Sequence, residues 1–94
     1  MGRRRNGERP WRRAAGVIAC VAEDEVRLLL RETWDYLELD QVSRRIWELL
    51  SEPKTTTQLV AALRGEYDVT IEQCQADIRA LLAVLHEAGA VITG

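Results

Sequence analysis

The spacing of apolar residues changes at Asp40, and the change restricts this chain to strands first and helices after. Before Asp40 the apolar residues come in short runs separated by polar clusters. Val17-Ile18-Ala19-Cys20-Val21-Ala22 stops at Glu23-Asp24-Glu25, and Val26 to Leu30 follows at once. Arg31, Glu32 and Thr33 then interrupt before Tyr36-Leu37-Glu38-Leu39. β-Prone runs this short, joined by tight turns, predict a three-stranded antiparallel meander. Alternation in the last run places Leu37 and Leu39 on the core face and Tyr36 and Glu38 on the other.

After Asp40 the period is helical. Asp40 can cap a helix whose apolar positions Val42, Ile46, Leu49 and Leu50 form one stripe, with Trp47 also in its core. That helix must end before Pro53, because the residue preceding a proline is pushed out of the helical region. Thr55 with Gln58 fits a capping box for a second helix carrying Leu59, Val60 and Leu63, with Gly65 placed to close it. Thr70 with Gln73 repeats the box, and Val69 with Cys74 occupies the staple positions. The third helix is the longest. Its stripe is Ile71, Cys74, Ile78, Leu81, Leu82 and Leu85, Gly89 is placed for a left-handed terminus, and Ala90-Val91-Ile92 forms an extended tail. The expected fold is α+β and winged-helix-like: a three-stranded antiparallel β-meander followed by three α-helices.

Ninety-four residues supply one core and little volume for a deep substrate cavity, so the composition favours binding over catalysis. Charge divides the chain in two. Residues 1–13 hold six arginines against Glu8, for +5, and the remainder holds seven basic and fourteen acidic side chains, for −7. Residues 1–14 therefore read as a disordered Arg-rich arm and 15–94 as the folded domain. Cys20 and Cys74, each in an apolar pattern, read as buried reduced thiols, which suits a cytoplasmic protein. No apolar stretch approaches the ~20 residues that span a bilayer. His86 is the sole histidine, no glycine-rich phosphate loop is present, and the acidic turn Glu23-Asp24-Glu25 reads as solvated, so neither catalytic residues nor a metal or cofactor is expected.

An ordered set of motifs resembles the PqqD-like family, the RiPP recognition elements. It comprises Tyr36-Leu37-Glu38-Leu39-Asp40, Ile46-Trp47-Glu48-Leu49-Leu50, Thr55-Thr56-Thr57-Gln58-Leu59-Val60, Tyr67-Asp68-Val69, Asp77-Ile78 with Leu81-Leu82, and Glu87-Ala88-Gly89. The resemblance covers residues 17 to 92. Trp34 departs from it, standing near the second hairpin turn where members often have Gly, and so does Gly89-Ala90-Val91, where Gly-Leu-Val is common. The resemblance implies a non-catalytic domain that binds the leader segment of a ribosomally made precursor peptide as an added β-strand. It would present that leader to a maturase, cyclase, leader peptidase or radical SAM enzyme, in a lasso-peptide or PQQ-type pathway. The docking strand would be Asp35, Tyr36, Leu37, Glu38 and Leu39, and the docking helix would offer Cys74, Asp77, Ile78, Leu81, Val84 and Leu85.

The residues support part of this independently. The third strand of a meander has one open edge, a template for an incoming strand. On the third helix, Asp77, Leu81, Val84 and Ala88 share one shoulder and Gln75, Arg79 and His86 the other, while Cys74, Ile78, Leu82 and Leu85 also read as core. Two other uses compete. A winged-helix DNA-binding protein would need a basic recognition helix, but the third helix has Arg79 against Glu72, Asp77 and Glu87, so no specific nucleic acid is expected. A structural subunit or homodimer could instead pair the same strand edge with its own copy.

Overall fold

The computed structural model describes residues 8–23, 25–30 and 33–93. The chain runs β1 (Trp11–Arg13), β2 (Val17–Ala22), β3 (Glu25–Leu30), β4 (Asp35–Leu39), α1 (Gln41–Leu49), α2 (Thr56–Arg64), α3 (Ile71–Glu87) and β5 (Val91–Thr93). Strands β2, β3 and β4 form the expected antiparallel meander in that order. Leu28 lies opposite Ala19 on one side and Leu37 on the other, and Val26 lies opposite Val21 and Leu39. This register puts Val26, Leu28, Leu30 and Leu39 on the helix-facing side, where all four are buried. They join Ile46, Trp47, Leu50, Leu59, Val60, Leu63, Cys74, Ile78, Leu82 and Leu85 in one core.

The helix starts follow the capping chemistry. Asp40 accepts a 2.8 Å bond from the Ser43 backbone N–H, and Thr55 and Gln58 form the full reciprocal box. At α3 only half of the expected box exists. Thr70 accepts from the Gln73 N–H, but the Gln73 amide turns forward to donate to Asp77 at 2.8 Å. Gly89 takes φ 81 just past the Ala88 cap, as its position predicts, whereas Gly65 ends α2 in the right-handed region at φ −73. Trp34 adopts φ 61 between β3 and β4, with its N–H donating to the Leu30 carbonyl. The turn thus keeps a conformation natural to glycine although it carries a bulky side chain.

The arm is shorter than expected. Residues 1–7 lie outside the described residues, but residues 11–13 are β1, paired antiparallel with β5. Trp11 also exchanges backbone bonds with Lys54 at 2.7 and 3.0 Å, and its indole N–H donates to Thr56 Oγ1 at 3.2 Å. The Arg13 guanidinium lies 4.5 Å from the centre of the Trp47 ring and donates to the Trp47 carbonyl through Nε and Nη2. An arginine-rich segment folds here because Trp11 supplies an apolar body, Trp47 supplies a π face, and β5 and Lys54 supply backbone partners. The folded domain therefore begins before residue 15.

Arg45 grips Glu66 with two bonds of 2.8 and 2.7 Å, linking α1 to the turn after α2. This grip holds the Glu66 carboxyl below its ordinary value, and the Ser43 N–H does the same for Asp40. Both carboxyls are thus lowered in the folded state. The stability they contribute is complete above the ordinary carboxylate range and is lost as pH falls through their lowered values. Asp40→Asn with Glu66→Gln should flatten the acid side of the stability profile, since Asn still caps a helix. Urea midpoints measured between neutral and acid pH check this: the native chain should lose more stability on acidification than the double variant.

Candidate peptide-binding site

The first half of the site is an edge. Among the described residues β4 is paired on one side only, with β3. Its side chains alternate as the sequence predicts. Leu39 is buried and Leu37 is half-buried against the core, while Tyr36 is 62% exposed and Glu38 lies 3.6 Å from Arg27 on the outer face. Asp35 is exposed at the start of the strand, with its N–H donating to Thr33 Oγ1 at 3.3 Å.

The second half is a shoulder of α3. Gln75 lines a hollow against α2, and His86 sits edge-on to Trp11 with ring centres 5.7 Å apart, so that shoulder faces α2 and β1. At the end of the other shoulder Ala88, the cap of α3, lines a hollow of about 230 Å³ shared with Leu30 and Thr33. On that shoulder Leu81 is half-buried against the core and Val84 is 54% exposed. Asp77 is exposed and held by the Gln73 amide. The remaining residues of the expected docking helix, Cys74, Ile78 and Leu85, are core residues with at most 4% exposure. Their side chains are closed off inside the core. Their burial agrees with the apolar stripe, which reads as core.

A larger hollow, about 620 Å³, lies at the end of β4, lined by Glu25, Glu38, Leu39, Asp40, Gln41, Ser43 and Arg44. Asp40 was legible only as a helix cap, and nothing in the local pattern marked Arg44. No group of side chains suited to a metal ion occurs among the described residues, and no helix among them is long and apolar enough to cross a membrane.

The two cysteines differ. Cys74 is buried, its thiol donates to the Val60 carbonyl at 3.9 Å, and burial pushes its pKa up. Cys20, expected to be buried, is exposed instead, because it lies on the outer face of β2, which no helix covers among the described residues. Maleimide should therefore label Cys20 quickly and Cys74 only as fast as the domain opens. Mass spectrometry over time checks this, and equal rates would contradict the placement.

A small α+β domain whose sheet ends, among the described residues, in an open strand edge, and whose longest helix exposes a half-apolar shoulder, has the form of a binding module. The sequence profile of the coenzyme PQQ synthesis protein D (PqqD) family matches residues 25–91, and the chain belongs to that family. Among solved structures, TbiB1 in complex with the TbiA(beta) leader peptide is 34% identical, with a TM-score of 0.79 over 85% of this chain and 93% of that one. The PqqD truncation of Methylobacterium extorquens PqqCD, described as a stand-alone RiPP recognition element, is 25% identical with a TM-score of 0.73, covering 88% of each chain. Lasso peptide synthetase B1 complexed with its leader peptide shares the fold, with a TM-score of 0.75 at 21% identity over 87% of this chain and 96% of that one. No curated protein sequence gives a significant match.

Proposed function

We propose that this chain is a non-catalytic recognition protein. It binds the leader segment of a ribosomally made precursor peptide as a fourth strand on the open edge of β4 and presents it to a separate modifying enzyme or leader peptidase in the cytoplasm. The observation that supports this reading is the open β4 edge, among the described residues, in a PqqD-family chain 34% identical to a protein solved with a leader peptide; the partly exposed Leu81–Val84 shoulder of α3 is taken as the second wall. The main-chain groups of β4 bind any extended segment, and the flanking side chains select among them. Four to six backbone bonds at a net ~1 kcal/mol each and two apolar anchors at ~1.5–3 kcal/mol each supply about 7–12 kcal/mol, and after an association cost of at least ~4 kcal/mol the most favourable balance is an affinity of about micromolar.

Leu37 and Leu81 form the half-buried floor on which an anchor would rest, Val84 extends it, and Asp77 reads charge at one end. A lasso-peptide or PQQ-type pathway would suit such a domain, with a maturase, cyclase, leader peptidase or radical SAM enzyme completing the complex. Calorimetry with the cognate leader tests the assignment. Leu81→Ala and Asp77→Ala should each weaken binding while circular dichroism shows an intact fold, and unchanged affinity in both would remove the groove from α3.

A further inference from the structure

The sheet has a second open edge, chemically unlike the first. Among the described residues β2 pairs with β3 alone, in a continuous register without a bulge. Residues 18–22 are exposed on both faces, with Ile18 at 46% and Val21 at 66%. The strand Val17-Ile18-Ala19-Cys20-Val21-Ala22 has neither charge nor proline, whereas β4 carries Asp35 and Glu38. Edge strands that stay unpaired in solution are protected by charge, proline, a bulge or a covering segment. β4 has two carboxylates for this purpose, and β2 has none of these devices among the described residues. The flanks of β2 are charged, and with opposite signs. The exposed Arg12 precedes the strand, Arg13 being held on Trp47, and Glu23-Asp24-Glu25 follow it. When a strand pairs antiparallel with its own copy, each basic flank meets an acidic flank.

We infer that β2 is the contact edge of a homodimer. The β2 strands of two copies pair antiparallel about a twofold axis normal to the sheet, joining two three-stranded sheets into one of six strands. The symmetry restricts the register. Such an axis keeps both outer faces on one side, so each residue pairs with one that points the same way. The centre then falls on Ala19, pairing Val17 with Val21 and Ile18 with Cys20 of the second copy, or on Cys20, pairing Ala19 with Val21 and Cys20 with itself. In both registers the two Cys20 side chains share a face and sit about 5–8 Å apart. β4 lies across β3 from this contact, so a dimer keeps both leader edges open. The contact is edge to edge and smaller than a standard interface, as weak and transient associations are.

Sedimentation equilibrium on the full chain, from micromolar to millimolar concentration and with and without a leader peptide, tests the inference together with a short bismaleimide cross-linker. Dimer should accumulate with concentration, and cross-linking should give a covalent dimer that Cys20→Ser abolishes. Ile18→Lys alters an exposed residue and leaves the monomer folded, yet it should weaken dimerisation at least about tenfold by placing two like charges in the contact. Added leader should bind without dissociating the dimer. A chain monomeric at every concentration, or a dimer indifferent to Ile18→Lys, overturns the inference. A dimer dissolved by leader also overturns it, because it would move the contact to β4. Calorimetric leader binding on the same samples reports separately on the proposed function.

Discussion

Val84→Glu should lower affinity for the leader peptide about ten- to a hundredfold while leaving the domain as stable as before. Val84 is 54% exposed on α3, so the folded protein gains little from its side chain. A strand lying between β4 and α3 would cover it. Losing one apolar anchor costs ~1.5–3 kcal/mol of binding, and a buried carboxylate without a partner adds to that. Exposed substitutions of this kind change folding free energy by about 0.5 kcal/mol or less, and glutamate is a better helix former than valine. Calorimetry and thermal unfolding on one sample separate the two effects. A loss of stability with affinity unchanged would show that Val84 belongs to the core and not to the groove.

The adjacent residue should behave in the opposite way. Leu85 is 0% exposed and packs in the core shared by the sheet and the three helices. Leu85→Ala should cost about 2–5 kcal/mol, since a leucine truncated in a close-packed interior loses both transfer energy and cavity contacts. For a domain whose total stability is about 5–15 kcal/mol that is a large fraction, and the unfolding temperature should fall by roughly 10 °C or more. Leader affinity of the folded fraction should stay within about threefold, because the side chain is closed off inside the core. Thermal and urea unfolding check the first statement, and calorimetry well below the transition checks the second. Strong weakening of binding with little loss of stability would reverse the assignments of Val84 and Leu85.

The contrast between these neighbours marks what the sequence could and could not say. The change of period at Asp40, the caps at Asp40, Thr55 and Thr70, and Gly89 after α3 located the meander and all three helices, because each is a local pattern with a local cause. The same helix carries Cys74, Ile78 and Leu85, which read as core and are buried, among the residues that the family resemblance offers for docking beside Leu81 and Val84. Which flank of α3 is left uncovered depends on α2 and Trp11 lying against the Gln75–His86 flank, and no spacing within the helix records that. β1 was hidden for a similar reason. Three residues, Trp11-Arg12-Arg13, have no period, and their partner Val91–Thr93 lies at the far end of the chain. Its signal was Trp11 within a run of arginines, which the charge of the segment obscured. Cys20 was misplaced because an uninterrupted apolar strand reads as buried, whereas β2 lies at the edge of the sheet beyond the cover of the helices.

Isotope-edited NMR on labelled protein with unlabelled leader peptide tests the central claim most directly. Capture on β4 predicts cross-strand contacts between the leader backbone and residues 35–39, slowed amide exchange along that strand, and side-chain contacts to Leu81 and Val84. Leader contacts on β2 in place of β4, or binding that leaves residues 35–39 unperturbed, would contradict it.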